Sequence, residues 1–151
     1  MQQLEIIVSH IESYQKQGNT LAMDKCQAIC ETNHKDNGGT LEAKNHLKFA
    51  NKVVVAKLVQ GGKIVGYTTL RDKLNKWAVS QVAVEPAYKR QGVAKAMYSY
   101  IEKELGIENP TIHVDNENLA SVAFHESLGY HATDDADKPV FQKPNKKERE
   151  V

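Results

Sequence analysis

Residues 82–104 read VAVEPAYKRQGVAKAMYSYIEKE, and the fold turns on them. The stretch opens as the end of an apolar run, WAVSQVAVE (77–85), whose β-branched and aromatic content is that of a strand. Pro86 supplies no backbone donor and closes the run, and Lys89, Arg90 and Gln91 then form a basic turn. From Gly92 to Leu105 the period changes. Val93, Ala96, Met97, Tyr100, Ile101 and Leu105 share one helical face, with Lys and Glu side chains opposite. Tyr98 and Tyr100 fall on opposite faces, one at the rim and one in the core, so they make no stacking platform for bases. Where a strand turns into a helix, the unpaired amides and partial positive charge of the first turn suit a phosphate. Gly92 would let a phosphate approach the backbone, Ala94 keeps the next turn small, and Lys89, Arg90 and Lys95 add mobile positive charge. Taken alone, this is a helix entry eased by one glycine, and it matches neither the Walker pattern nor GxGxxG.

Upstream, VVVAKLV (53–59) and IVGYTTL (64–70) are β-rich runs joined by Gln60-Gly61-Gly62-Lys63, the signature of a hairpin. Downstream, Gly106 ends the helix, Thr111 to Val114 form a short strand, residues 118–128 form a second amphipathic helix stopped by Gly129, and Val140 to Gln142 form a last strand. Strands that precede helices, with a hairpin at the start, predict an α/β (α+β) fold: a mixed, mostly antiparallel central sheet flanked by helices. The N-terminal part, 1–51, reads as a divergent helical segment. Its first element stays open, because Leu4, Ile7, Val8, Ile11 and Tyr14 have helical spacing whereas Leu4, Ile6 and Val8 alternate like a strand. Thr20 can cap a helix carrying Met23, Cys26, Ile29 and Cys30.

The chain has 151 residues, the length of one domain at roughly 100–200 residues each, with a charged tail at 143–151. Twenty basic and nineteen acidic residues give a net charge of +1, which disfavours polyanion binding, so no nucleic-acid partner is expected. No apolar run approaches the ~20 residues of a membrane helix and no leader is evident, so a cytoplasmic protein without a membrane partner is expected. Cys26 and Cys30 lie on one helical face, poorly placed to bond each other, and read as two buried thiols. His34 continues their spacing without a fourth ligand, and the other histidines show no HxxxH or HExxH pattern, so no metal is expected.

The segment Lys89 to Ala94 resembles motif A of the GNAT superfamily of N-acetyltransferases, whose signature is Gln or Arg, two residues, Gly, one residue, then Gly or Ala. Gly92 and Ala94 fit it, and Lys89 stands at the position of the Gln or Arg. A second block, NLASVAFHESLGY (118–130), is similar to the family's motif B through Asn118, Leu128, Gly129 and Tyr130, with His125 at the position of the family's Tyr. The resemblance covers about residues 52–142 and implies acetyl transfer from acetyl-CoA, a cosubstrate, to a primary amine by direct attack in a ternary complex. The alternative is a non-catalytic acyl-CoA-binding or interaction module that keeps the fold.

The resemblance also implies roles for particular residues. Backbone amides of Gln91, Gly92, Val93, Ala94, Lys95 and Ala96 meet the pyrophosphate, flanked by Lys89 and Arg90, while the main chain of Val82, Ala83 and Val84 pairs with pantetheine. Asn118 belongs to the same cofactor-binding set. His125 takes the part of the acid that reprotonates the coenzyme A thiolate, a role open to an imidazole of reference pKa ~6.5, although read alone it is a helix-surface residue. Glu85, at the end of the pantetheine strand, is the nearest base for the amine; read alone it is a solvated loop carboxylate. The expected partners are acetyl-CoA and an amine acceptor, with a homodimer left open. The acceptor pocket is expected between the N-terminal segment and the strand ends near Glu85, with Asn33 to Gly39 as its rim.

Overall fold

The computed structural model describes residues 4–12, 24–31, 50–73, 76–113, 119–132 and 140–142. In chain order the elements are β1 (Ile6–Glu12), α1 (24–31), β2 (Lys52–Leu58), β3 (Ile64–Lys73), β4 (Lys76–Val84), a 3-10 turn (Pro86–Tyr88), α2 (Val93–Lys103), β5 (Thr111–His113), α3 (Leu119–Ser127), β6 (His131–Ala132) and β7 (Val140–Gln142). The seven described strands form one sheet in the order β1-β2-β3-β4-β5-β7-β6. Every neighbouring pair is antiparallel except β4 and β5. The mixed, mostly antiparallel sheet with a hairpin near its start is the architecture expected from the sequence.

The alternation of β2 explains the two-sided core. Val53 and Val55 face a cluster with Ile11, Cys26, Ile29, Cys30, Tyr67 and Ala83, so α1 covers that side of the sheet. Val54 and Ala56 face the other side, with Val65, Leu70, Val79 and the α2 residues Val93, Met97, Tyr98 and Ile101. Cys26 and Cys30 are both buried free thiols, as their shared helical face suggested, and burial pushes the Cys26 thiol up to about 12. Tyr98 is the buried tyrosine of α2, whereas Tyr100 is half-buried on its flank.

The first element, whose type the sequence leaves open, is a strand, so the segment 1–51 is not helical throughout. The reason is tertiary. β1 pairs in register with β2 from Ile6↔Leu58 to Glu12↔Lys52, which satisfies its backbone groups, while Leu4, Ile6 and Val8 pack against the α2 side and Ile7 points away, 58% exposed. A helix would have needed Ile7 inside. His10 ties the strand to α2, its Nδ1 lying 2.7 Å from the Tyr100 hydroxyl, and its Nε2 lies 2.9 Å from Glu12 Oε1. Tyr14, Thr20, Met23, His34 and the stretch Asn33 to Gly39 lie outside the described residues. No described helix is long and apolar enough to cross a membrane.

Two close fits can be tested by substitution. A Cβ on Gly66 would lie 2.9 Å from Val93 Cγ1 and 3.3 Å from both Met97 Cε and the Ala83 carbonyl oxygen, so the bare backbone is what lets α2 sit directly on β3. Gly66→Ala should destabilise the domain by about 1–3 kcal/mol through overpacking, read by urea denaturation; an unchanged midpoint would show that α2 can lift without cost. The second fit is ionic. The Lys52 ammonium, above all, and His10 hold the Glu12 carboxyl below its ordinary value of 4.5, against a smaller opposing effect of burial. A depressed folded-state pKa adds stability above the unfolded value, lost as pH falls through the folded one. Because Glu12 is half exposed and screened by solvent, its share is less than about 1 kcal/mol. Glu12→Gln should therefore weaken the domain slightly at neutral pH and not at all in strong acid, measured by melting temperature across pH.

Candidate functional site

The site begins past the last rung between β4 and β5 among the described residues. The register of β3 and β4 runs Thr69↔Gln81 and then Leu70↔Val79, so Ser80 is an extra residue, a bulge in β4. A bulge bends its strand and raises the local twist. On its other side β4 pairs with β5 only through Ala78↔Thr111 and Val79↔Ile112, whereas its pairing with β3 continues to Gly66↔Val84. Among the described residues, the main chain around Val82 thus has a strand on one side and no β5 rung on the other. Val82 and Val84 are half-buried and Ala83 is buried.

From Val84 the chain enters a turn braced by its own backbone. Glu85 N–H donates to the Val65 carbonyl (2.8 Å), and Tyr88 N–H donates to the Glu85 carbonyl (2.8 Å). The side chain adds to it, Gln91 Nε2 donating to the Ala87 carbonyl (3.2 Å). Pro86 favours this geometry, since it holds its own φ and pushes Glu85 to extended backbone, observed at φ −55 and ψ 132. Arg90 (φ 65) and Gly92 (φ 85) are both left-handed, and Gly92 is the N-cap of α2. The first helical hydrogen bond runs from Ala96 N–H to the Gly92 carbonyl (2.9 Å), so the amides just before it precede the helix's own acceptors. The first turn carries no acidic residue, Lys89, Arg90 and Lys95 are exposed around it, and nothing lies within 4 Å of where a Gly92 Cβ would stand. Open backbone amides, a positive helix end and flexible cations together fit a pyrophosphate. The parted edge of β4 fits an extended arm bearing amides, so these residues fit an acyl-CoA.

The Acetyltransferase (GNAT) family matches residues 20–130. The chain belongs to the GNAT acetyltransferase family. The match begins upstream of the expected limit at residue 52 and stops short of 142, so part of the segment taken as divergent is family sequence. The ribosomal protein bS18-alanine N-acetyltransferase of Escherichia coli (strain K12) is 31% identical over 78 residues, 50% of this chain and 53% of that protein. The chain thus spans about half the length of the curated relatives it matches. Among solved structures, PH1933 from Pyrococcus horikoshii OT3 superposes with a TM-score of 0.68 at 16% identity, covering 93% of this chain and 99% of that one. The PaiA N-acetyltransferase from Thermoplasma acidophilum, in complex with coenzyme A, superposes with a TM-score of 0.67 at 13% identity, covering 94% and 100%. At such identities these likenesses establish the fold.

The residues expected to hold the cofactor, Val82 through Ala96, form one continuous strand, turn and helix entry in this GNAT chain; Asn118 lies outside the described residues. The two side chains expected to do chemistry are each engaged elsewhere. Glu85 Oε1 accepts from Lys63 Nζ at 3.1 Å, and that hydrogen bond raises the Lys63 ammonium above its ordinary pKa. Lys63 also lies 5.5 Å from the centroid of the Tyr88 ring, so the pair clamps the turn to the β2–β3 hairpin. His125 is not on the helix surface. It is 1% exposed, packed among Tyr98, Phe124 and Tyr130, with Nε2 lying 2.7 Å from the Tyr98 hydroxyl. Burial raises the Tyr98 phenol well above its ordinary pKa, so the imidazole faces a hydroxyl and not a phenolate. Sequence reasoning missed this partner, and it missed the polar group Tyr67, Thr69, Ser80 and Gln81 at the bulge. The signal was Ser80-Gln81 interrupting an apolar strand.

Gly92→Val should weaken coenzyme A binding by more than about tenfold in calorimetry, because lost hydrogen bonds to a charged acceptor are worth about 1.5–3 kcal/mol each. Gly106→Val, at another left-handed glycine in open space (φ 67), carries the same backbone strain away from the site and serves as control. Equal affinity in both variants would remove the α2 entry from the binding site.

Proposed function

We propose that the protein is an acetyl-CoA-dependent N-acetyltransferase acting on a primary amine by direct attack in a ternary complex. The observation that carries the reading is the parting of β4 from β5 immediately before a left-handed Gly92 that opens a helix, within a GNAT family match. Acetyl-CoA supplies an activated thioester. The amides of Gln91 through Lys95, with Lys89 and Arg90, hold its phosphates, the Ala96 N–H being already bonded to the Gly92 carbonyl, and the main chain of Val82 to Val84 aligns its arm, which places the acyl carbon for attack. A backbone N–H at or beside Val82 is suited to stabilise the oxyanion.

The amine nitrogen bonds to the acyl carbon as the carbon–sulfur bond breaks. Most free amines are protonated at neutral pH, so a base must first take a proton. Glu85 is that base in this reading, and it must leave Lys63 to act. The leaving thiolate takes a proton from His125 in its imidazolium form, which becomes the neutral imidazole. The relative from Escherichia coli is named for alanine of a ribosomal protein, which supports an amine carried by a protein as one acceptor to try first.

The engagement of Glu85 with Lys63 and the burial of His125 favour a second reading, a non-catalytic acyl-CoA-binding module with the same fold. Both readings include coenzyme A binding, so free-thiol release from acetyl-CoA that depends on added amine separates them. Under the first reading, His125→Phe, which keeps a ring in the core, should lower turnover by about 10²- to 10⁴-fold with acetyl-CoA affinity unchanged. Equal turnover at an unchanged melting temperature would leave His125 a core residue only.

A further inference from the structure

The bulge in β4 assembles a polar cluster on the side of the sheet covered by α1. The Tyr67 hydroxyl donates to Gln81 Oε1 at 2.9 Å, and Gln81 Nε2 donates towards Cys30 Sγ at 3.7 Å. Thr69 Oγ1 lies 2.7 Å from Ser80 Oγ and 3.5 Å from the Gln81 carbonyl oxygen. Tyr67, Thr69 and Cys30 are buried, whereas Gln81 is half-buried. Burial, and then Cys30, pushes the Tyr67 phenol far above its ordinary range, so it remains a donor, and Oε1 is the acceptor it meets. That fixes the carboxamide. Its Nε2 carries two N–H groups, yet among the described residues it meets only a thiol sulfur, a weak acceptor. The result is a half-buried donor, held by Tyr67 and Cys30, that among the described residues lacks a good oxygen partner.

Its place matters. Gln81 follows the bulge residue and precedes Val82, where the proposed function lays the end of the acyl arm. Held by phosphates at the start of α2, which covers one side of the sheet, the arm passes the parted edge of β4, and an amine can then approach from the α1 side, where Gln81 projects. We propose that Gln81 selects the acceptor, its Nε2 donating to a carbonyl oxygen carried beside the reacting amine. The substrate class is therefore α-amino carbonyl compounds, such as peptide N-termini, in preference to simple alkylamines. A fixed donor loses little freedom on binding and discriminates against a partner that leaves it unpaired. The inference rests on the acetyltransferase reading.

The test uses two conjugates in which the coenzyme A sulfur is joined through a CH2–C(=O) bridge to the nitrogen of alaninamide or of isopropylamine, so that recognition is read without turnover. By calorimetry the wild-type chain should bind the alaninamide conjugate about tenfold more tightly, the value of one hydrogen bond in a half-buried setting. Gln81→Leu should abolish the difference while leaving affinity for coenzyme A unchanged. Gln81→Glu, which can keep the Tyr67 contact but replaces the donor by an acceptor, should also abolish it and serves if the leucine variant fails to fold. Equal binding of the two conjugates by a wild type that binds coenzyme A would overturn the inference and leave the proposed function standing. Failure to bind coenzyme A at all would overturn both. A preference that survives in both folded variants would assign the selection to another residue.

Discussion

One parting of strands organises this molecule. β4 is paired on both sides at Ala78 and Val79, and past Ser80, among the described residues, it keeps β3 alone. The extra residue at Ser80 bends the strand just where a parallel neighbour would otherwise continue the ladder. The main chain that follows is held by β3 on one side and, among the described residues, has no strand on the other. The Gly92 turn, the helix entry and the polar cluster around Gln81 all take their positions from this divergence. Had the two strands stayed paired, the sheet would be more regular and would offer an extended ligand no edge.

The helix over the sheet is set by a second constraint, the absence of a side chain at Gly66. Val93 and Met97 rest where a Cβ would be, so the first turn of α2 is pinned against β3. That pinning places the amides of the helix start beside the end of β4. Binding geometry in this chain therefore depends on residues that would not touch a ligand. The Lys63–Glu85 pair acts in the same way from the hairpin side, holding the turn between strand and helix.

The buried polar groups are divided between the two sides of the sheet. On the α2 side, Tyr98 and His125 join α2 to α3 through a hydrogen bond within an aromatic cluster. On the α1 side, Tyr67, Thr69, Ser80, Gln81 and Cys30 form a hydrogen-bonded set at the bulge. Buried polar groups are costly unless paired, so their concentration next to β4 marks where the interior departs from simple packing. The first set is internally matched, with a hydroxyl facing an imidazole nitrogen at 2.7 Å. The second ends in a carboxamide N–H facing sulfur, and this difference separates a structural joint from a surface prepared for a ligand.

Periodicity and punctuation in the sequence were enough for the hairpin, for β4, for the helix after Gly92 and for the strand-to-helix turn, because each is fixed by local pattern and by residues with narrow backbone preferences. Pro86 and Gly92 act within a few residues of themselves. The two cysteines were legible as buried for the same reason, since a shared helical face is a local property. The first element was not legible, because IIVSHIE satisfies both periods and only a free edge on β2 chooses the strand. Nor was the two-residue strand β6, whose existence depends on pairing with β7. The surroundings of His125 and Glu85 were also out of reach: an amphipathic pattern cannot say that a histidine faces a tyrosine 27 positions earlier, nor a strand end that its carboxylate meets a lysine 22 positions away. The sequence determined where backbone could bind an anion, because that depends on glycine, proline and helix starts; the tertiary structure decided which side chains stand free to act on what is bound, because burial and pairing are set by parts of the chain far apart.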